Sequence, residues 1–295
     1  MKILYAASEA NPFAKSGGLA DVAGALPKAL VKDGVDARVI MPLYGDLKYR
    51  DKLEYVTNYS VPVGWRSQYC GLFKTERNGV TYYFLDNEYY FKRRGLYGFY
   101  DDGERFAFFS RAVLETLFYI DFTPDIINCN DWQTALVPIY LKDVCTRWEA
   151  VRRIRTVFTI HNIEYQGRYG EDTVDQLFGL DRGWYNDGTL QMDGDVNLMK
   201  GAMLVSDAVT TVSPTYAAQL HDAAYAEGME SVVRMIDWKF SGVVNGLDVA
   251  GYDPSHDPAL PARYDADHMA GKAACKASLQ AALGLAQEPD TPLMG

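Results

Sequence analysis

The opening of the chain sets three features in a fixed order. A short apolar run, Lys2–Ala7, predicts a buried strand, and the segment Leu19–Asp33 has the apolar spacing of a helix. Between them lies a loop with Lys15 and two adjacent glycines, Gly17 and Gly18. Such a loop turns backbone N–H groups and a helix N-terminus towards an anion, with an ammonium nearby. The order of strand, glycine loop and helix therefore predicts an α/β fold and a phosphate-bearing ligand.

Strand and helix signals alternate along the rest of the chain. Short runs rich in Val and Ile are typical of strands buried on both faces. They predict strands at Ile3–Ala7, Ala37–Met41, Asp125–Cys129, Thr156–Ile160, Ala208–Val212 and Gly242–Val244. Helices are predicted between them, at 19–33 with a kink at Pro27, at 104–118 capped by Asp102, at 197–206 and at 214–221. This βαβ series predicts a doubly wound, mostly parallel, Rossmann-like sheet.

Two regions depart from the alternation. The runs Gln68–Thr75 and Val80–Asp86 flank Arg77-Asn78-Gly79, which predicts an antiparallel hairpin inserted at the edge of the sheet. Near the end, residues 253–264 are rich in Pro and Asp and predict a linker. A helix is then predicted over 266–285 with Asp265 as its N-cap, and residues 292–295 resemble the opening of another strand. We therefore expect the chain to be cut short.

Composition excludes several classes of protein. Of 295 residues, 29 are Lys or Arg and 39 are Asp or Glu, so the formal net charge is −10. This acidity argues against a nucleic-acid binder and against a protein of anionic membranes. The four cysteines form no Cys-x-x-Cys pair and the four histidines are scattered, so neither a metal site nor a disulfide framework is expected. With no secretory pattern and no apolar run of spanning length, a cytoplasmic location is expected.

Polar side chains follow five of the predicted strands. Because the carboxyl ends of parallel strands meet at one edge of a sheet, these residues are expected to gather there. They are Glu9, Lys15 and Asp21 after the first strand, Asn130, Asp131, Trp132 and Gln133 after the third, His161, Asn162, Tyr165 and Gln166 after the fourth, Ser213 after the fifth, and Asn245 after the sixth. Each also has a simple structural interpretation: a helix cap, a core aromatic, a structural His or a turn. Their shared edge favours a site.

Several nucleotide and hydrolase motifs are missing from this edge. A nicotinamide site needs Gly-x-Gly-x-x-Gly and an acidic residue after the second strand, but the chain has only Gly17-Gly18 and a second strand that ends Met41-Pro42-Leu43. Neither a Gly-x-Ser-x-Gly nor a Walker motif occurs in the sequence. Dinucleotide binding and these forms of catalysis are therefore disfavoured.

The stretch 89–100 is rich in aromatic residues but is broken by Gly95 and Gly98 and carries three cations. Flat rings such as Tyr97 suit the apolar faces of sugar rings, and the interleaved charged side chains suit hydroxyl groups. The alternative is a surface loop that packs on its own aromatic side chains.

These blocks resemble one family, the ADP-glucose-dependent α-1,4-glucan synthases, which comprise bacterial glycogen synthases and plant starch synthases. The resemblance covers essentially all of the sequence. It rests on the blocks at 8–12, 15–22, 24–27, 130–134, 161–167, 200–201, 210–217 and 244–248, which occur in family order. Asn128 and Asn130 stand where many relatives carry His, and Gln133 replaces another His.

The resemblance implies a glycosyltransferase of the two-domain GT-B kind. Residues 1–245 are expected to form the N-terminal, glucan-acceptor domain, and residues 246–295 the hinge and the truncated start of the nucleotide-sugar domain. The implied reaction moves glucose from ADP-glucose to the non-reducing end of an α-1,4-glucan with retention of configuration. These residues alone are expected to be inactive, because the family's Arg…Lys pair for the donor phosphates comes later. ADP-glucose and glucan would be substrates, with no cofactor and no metal.

The resemblance also assigns roles to individual residues. The catalytic group would be His161, Asp131, Asn245 and Asp21. The donor phosphates would be bound by Lys15, Gly17 and Gly18. Sugar rings would be contacted by Trp132, Asn162, Tyr165, Gln166 and Tyr97. Two alternatives remain open: a GT-B glycosyltransferase that uses a UDP-sugar, and a non-catalytic α-glucan-binding module.

Overall fold

A computed structural model describes residues 1–144 and 149–294 and divides the chain into two compact units, Met1–Asn245 and Gly246–Gly295. The strands are β1 Lys2–Ala6, β2 Asp36–Pro42, β3 Glu54–Val63, β4 Arg66–Arg77, β5 Val80–Asp86, β6 Ile126–Asn130, β7 Arg155–Ile160, β8 Arg168–Tyr169, β9 Gln191–Met192, β10 Asp195–Asn197, β11 Ala208–Thr211 and β12 Phe240–Gly242. The helices are α1 Gly18–Lys32, α2 Glu88–Phe91, α3 Asp102–Thr116, α4 Leu136–Val144, α5 Thr173–Gln176, α6 Gly183–Asn186, α7 Leu198–Val205, α8 Pro214–Gln219, α9 Glu230–Met235 and α10 Ala270–Ala282.

The described residues of the first unit form a nine-stranded sheet in the order β12-β11-β7-β6-β1-β2-β5-β4-β3. Every neighbouring pair from β12 to β5 is parallel, and only β5–β4 and β4–β3 are antiparallel. From β1 the chain adds strands first on one side and then on the other, so the order reverses between β1 and β6. The prediction of a doubly wound, mostly parallel sheet is confirmed, and the reversal marks the crevice where such sheets bind ligands.

The antiparallel edge is larger than the predicted hairpin. Asn78 and Gly79 both have positive φ, 54° and 76°, as a tight hairpin turn requires, and β4 and β5 extend to this turn. The additional strand β3 was not predicted from the sequence. It alternates buried and exposed residues at its end and contains Pro62, which a sheet tolerates on an edge strand such as this one.

Several predicted boundaries are wrong for local reasons. The last strand is Phe240–Gly242 rather than 242–244: Val243 and Val244 are apolar but exposed, and a Cβ on Gly242 would lie 2.2 Å from the carbonyl oxygen of Ser213. Asp102 does not cap α3, which begins at that residue. Its carboxylate instead accepts hydrogen bonds from the amides of residues 98 and 99 and pairs with the buried Arg105. Helix α1 runs through Pro27 to residue 32.

Several short elements are not predicted by the sequence pattern. Strands β8, β10 and β9 form a separate three-stranded antiparallel sheet, and each is too short to show a period of two. In the second unit the helix spans Ala270–Ala282 rather than 266–285. Asp265 accepts hydrogen bonds from the amides of residues 267 and 268, so it forms a turn ahead of the helix and not its cap. Residues 292–294 have no regular structure, and Gly295 lies outside the described residues.

Candidate functional site

A cavity of about 520 Å³ lies at the carboxyl ends of β1, β6 and β7, beside the point where the strand order reverses. Its size is within the usual range for small-molecule sites, roughly 300–1,000 Å³. Nine of the predicted site residues line it: Gly17, Gly18, Tyr97, Asp131, Trp132, His161, Asn162, Tyr165 and Asn245. The sheet therefore brings most of the predicted constellation together. Lys15, Asp21 and Gln166 do not line this cavity.

The carboxylate of Glu9 holds the glycine loop in place. Glu9 is buried and accepts a hydrogen bond from the amide of Ser16, and the amide of Gly17 also stabilises its charge. Burial raises the pKa of Glu9, and the nearby Asp21 adds to the rise. A Cβ on Gly18 would meet nothing within 4 Å, so the start of α1 is open on that side. Glu9 thus engages two amides that could otherwise bind an anion, and it fixes the conformation of the loop.

Lys15 and Asp21 are paired across this loop. The Nζ atom of Lys15 lies 2.7 Å from both carboxylate oxygens of Asp21, in the first turn of α1. Both side chains are partly exposed, so the pair stabilises the fold little. Lys15 borders a smaller cavity of about 230 Å³, which residues 11–14 also line.

Asp131 has the most unusual backbone in the site. Its φ of 56° and ψ of 179° belong to a region that is almost exclusive to glycine, and such a conformation costs about 1–3 kcal/mol. The strained turn sends its carboxylate across to β7, where Oδ1 accepts hydrogen bonds from the amides of His161 (2.7 Å) and Asn162 (3.3 Å). Asp131 therefore ties the end of β6 to the end of β7 at the floor of the cavity.

His161 is neutral and has a defined tautomer. Burial lowers its pKa to about 4. Its Nε2 lies 2.9 Å from Oδ1 of Asn130, whose amide nitrogen is already committed to the carbonyl oxygen of Ala6 and the side chain of Asn128. Because the amide then presents its oxygen to the ring, Nε2 carries the proton and Nδ1 is an acceptor. Asn130, predicted only to lie among the polar residues after the third strand, is therefore a positioning residue.

Burial raises the pKa of Asp131 to about 7, and the charge of Glu9 contributes to the rise. The folded protein therefore holds a proton on Asp131 between about pH 4 and 7, where the unfolded chain has lost it. The raised pKa therefore makes the free energy of unfolding depend on pH: its stabilising contribution is complete below pH 4 and is lost as the pH rises through 7.

We expect Asp131→Asn to remove that dependence, because the amide oxygen can accept the same two backbone hydrogen bonds without a charge. As the pH is raised from 5 to 8, the free energy of unfolding of the variant, measured by urea denaturation, should increase relative to that of the wild type. Parallel profiles for the two proteins would contradict the elevated pKa.

Two aromatic side chains form the apolar part of the wall. The indole of Trp132 is 9% exposed and packs edge-on against Phe106 at 5.3 Å and obliquely against Tyr169 at 6.1 Å. Tyr165 is 59% exposed. Gln133, which also lines the cavity, has an amide oxygen with no hydrogen-bond partner among the described residues. The site thus joins a fixed ring and an accessible ring, and beside them lies a buried amide oxygen without a hydrogen-bond partner among the described residues.

The aromatic stretch 89–100 fits both interpretations in part. Tyr90 is fully buried and packs on Phe108 of α3 at 5.0 Å, as expected of a self-packed loop. The guanidinium of Arg105 is fully buried and donates to the carbonyl oxygens of residues 90 and 96. This anchor places Tyr97 in the cavity wall, where its hydroxyl lies 2.8 Å from that of Ser8.

Gln166 is a buried structural residue. Its Oε1 accepts from Nδ2 of Asn197 at 2.7 Å and its Nε2 donates to the carbonyl of Glu227 at 2.9 Å. It borders a second cavity, of about 420 Å³, which shares Trp132 and Tyr165 with the first.

Residues 1–144 and 149–294 contain no group of three or more His, Cys, Asp or Glu side chains that could hold a metal ion. In the same part of the chain, no helix is both long and apolar enough to cross a membrane.

Fold and site together define a Rossmann-like α/β domain with a ligand cavity where its strand order reverses. The chain belongs to the starch synthase catalytic domain family, whose model matches residues 2–235. It is 46% identical to the glycogen synthase of Lactobacillus acidophilus over 297 residues, and 47% identical to that of Clostridium acetobutylicum over 298. Each match covers 100% of this chain and 62% of the relative. The predicted resemblance is confirmed, and the chain spans about three fifths of the length of these relatives.

A solved structure supports the same assignment. The catalytic domain of starch synthase IV from Arabidopsis thaliana, bound to ADP and acarbose, superposes with a TM-score of 0.90 at 34% identity. The match covers 96% of this chain and 59% of that chain.

Proposed function

We propose that the whole protein transfers glucose from ADP-glucose to the non-reducing end of an α-1,4-glucan, with retention of the anomeric configuration. Residues 1–245 would supply the acceptor side, and residues 246–295 would begin the domain that binds the nucleotide sugar. The observation that carries the proposal is the cavity at the reversal of strand order, where a neutral histidine, two aromatic rings and an unpaired amide acceptor meet. A cytoplasmic location is part of the same proposal.

The charges in the cavity suit a sugar and a departing diphosphate. Because the pKa of Asp131 is raised to about 7, part of the population carries a neutral carboxyl there at neutral pH, which limits the negative charge facing an anionic donor. In the transition state, negative charge builds on the diphosphate, and preorganised donors stabilise it there. Lys15 would supply an ammonium by exchanging Asp21 for phosphate, and the start of α1, which is open at Gly18, would add N–H groups and its dipole. The amide of Gly17 would be shared between the phosphate and Glu9.

The sugar side rests on hydrogen-bond acceptors and stacking. Nδ1 of His161 would accept a hydrogen bond from a hydroxyl of the transferred glucose, and its backbone carbonyl would face the anomeric centre. Asp131 holds the amides of residues 161 and 162 and so positions that carbonyl. Trp132, Asn162, Tyr165 and Asn245 would contact the sugar rings. Among the described residues that line this cavity, the carboxylates of Glu9 and Asp131 both accept hydrogen bonds from backbone amides, so we expect no acid–base pair of the kind that a glycosidase uses.

The test is glucosyl transfer by the whole protein. The relatives extend beyond the region that this chain matches, so the test uses the full-length protein. Radiolabelled ADP-glucose and UDP-glucose are compared with glycogen as acceptor. We expect faster incorporation from ADP-glucose. Preference for UDP-glucose would support the related UDP-sugar enzyme instead. Glycogen binding without transfer from either donor would indicate a non-catalytic glucan-binding protein.

A further inference from the structure

We propose that Asn128 is a positioning residue for His161, which acts through Asn130 to fix the tautomer whose Nδ1 accepts a hydrogen bond from the substrate. The inference rests on the proposed function and deepens it, because it names a group that controls the sugar-binding nitrogen without touching the sugar. Asn128 does not line the cavity. It is half-buried in the middle of β6.

Four polar side chains form a row that crosses the sheet and ends at the His161 ring. Nε2 of His161 lies 2.9 Å from Oδ1 of Asn130, and Nδ2 of Asn130 donates to Oδ1 of Asn128 at 2.8 Å. Nδ2 of Asn128 donates in turn to the hydroxyl of Thr159 at 3.1 Å, and that hydroxyl lies 2.9 Å from the hydroxyl of Thr210. The strand register places the row side by side, because Asn130 pairs with Thr159 on β7 and Thr159 pairs with Thr210 on β11.

Such a row could run in either direction. An amide can present its oxygen or its nitrogen to a neighbour, and a hydroxyl both donates and accepts. If every bond were reversed, Asn130 would present Nδ2 to the ring, and His161 would carry its proton on Nδ1 instead. The backbone decides between the two directions, because Nδ2 of Asn130 lies 2.9 Å from the carbonyl oxygen of Ala6, which can only accept. Reversal would set two oxygen atoms against each other at a fully buried residue, which costs free energy.

Asn128 supplies the second restraint on the same amide. The amide group of Asn130 has two hydrogens, and its two shortest contacts are with the carbonyl oxygen of Ala6 and with Oδ1 of Asn128. The main-chain oxygen of Asn128 is more distant, at 3.3 Å. Without the side-chain acceptor at position 128, only backbone oxygens would hold the amide. Part of the population would then carry the other tautomer of His161.

The experiment compares two substitutions of almost the same shape at position 128. Asn128→Asp keeps an acceptor for the Asn130 amide, and Thr159 can turn its hydroxyl to donate to the other carboxylate oxygen. Asn128→Leu removes the acceptor. A carboxylate in a half-buried position should destabilise the fold more than leucine does, so stability and positioning predict opposite orders of activity. Thr156→Val is the matched control, because it removes a hydroxyl beside Asp207 at the other end of β7, outside the row.

Two measurements are made at pH 8, well above the pKa of the His161 ring, which burial lowers to about 4. Long-range proton–nitrogen correlation NMR spectra of the 295-residue chain, isotopically labelled in its histidines, report which ring nitrogen carries the proton. The spectrum of His161→Gln assigns the signal among the four histidines. Steady-state kinetics of the whole protein with ADP-glucose and glycogen gives kcat and KM.

We expect the wild type and Asn128→Asp to show one tautomer, with Nδ1 unprotonated. Asn128→Leu should show both tautomers and lose about tenfold in kcat, the effect of about one hydrogen bond, with little change in KM. Thr156→Val should change neither the tautomer nor kcat.

Three results would overturn the inference and leave the proposed function standing: a wild-type ring protonated on Nδ1, a single unchanged tautomer in Asn128→Leu, or a lower kcat for Asn128→Asp than for Asn128→Leu. If the spectra are as expected but the wild-type protein transfers no glucose, the proposed function fails, and the control of the ring by Asn128 is upheld.

Discussion

Replacing His161 by alanine in the whole protein is expected to lower the kcat of the proposed glucosyl transfer by at least about 100-fold, the scale of losing one preorganised transition-state contact. The ring is neutral, with its pKa near 4, and its tautomer is set by Asn130. A neutral ring with its proton on Nε2 can accept a hydrogen bond at Nδ1, and alanine removes this acceptor. Steady-state kinetics with ADP-glucose and glycogen measures the effect.

His221→Ala is the matched control, because this histidine lies outside the cavity and pairs with Asp237 at 2.9 Å. It should retain kcat within a factor of about two, since surface substitutions away from special features have small effects. Thermal unfolding of both variants separates loss of structure from loss of chemistry. A His161→Ala enzyme that is folded and turns over like the wild type would remove His161 from the proposed mechanism.

The sequence could predict which loops meet, because the geometry of parallel sheets decides it. Residues as far apart as Gly17, Asp131 and His161 line one cavity since each follows a strand of the same sheet. A run of four to seven apolar residues bounded by polar ones is enough to place such a strand. The edge strand β3 lacks that signal, because one of its faces is exposed and it contains Pro62.

Side-chain pairing inside the loops could not be predicted in the same way. Lys15 contacts Asp21 only because the glycine loop folds back on the first turn of α1. Glu9 was noted only as a polar residue after the first strand, and nothing in its spacing indicated that it would accept the amide of Ser16. The strain at Asp131 was equally hidden, since aspartate does not signal a glycine-like backbone. Assignment of the catalytic and phosphate-binding roles therefore stays a prediction.

Gly167 shows how the backbone itself shapes the binding surface, and Gly167→Ala is expected to be strongly destabilising. Its φ is +66°, and a Cβ there would lie 2.7 Å from Cε3 of Trp132 and 3.3 Å from Cβ of Leu198. A non-glycine residue pays about 1–2 kcal/mol for the left-handed backbone, and overpacking adds about 1–3 kcal/mol. We therefore expect the free energy of unfolding to fall by about 2–5 kcal/mol, measured by urea denaturation. Because Trp132 forms a wall of both cavities, affinity for maltoheptaose should fall as well.

Gly170→Ala is the control for this prediction, since a Cβ at position 170 meets nothing within 4 Å and the residue has no positive φ. It should change the stability by less than about 0.5 kcal/mol. In a Trp132→Leu background the indole is gone, so the change at Gly167 should then cost mainly the backbone strain, about 1–2 kcal/mol, with the 3.3 Å contact to Leu198 left to relax. An equal cost with and without the indole would show that Trp132 does not lie against Gly167, and the continuous wall shared by the two cavities would be wrong.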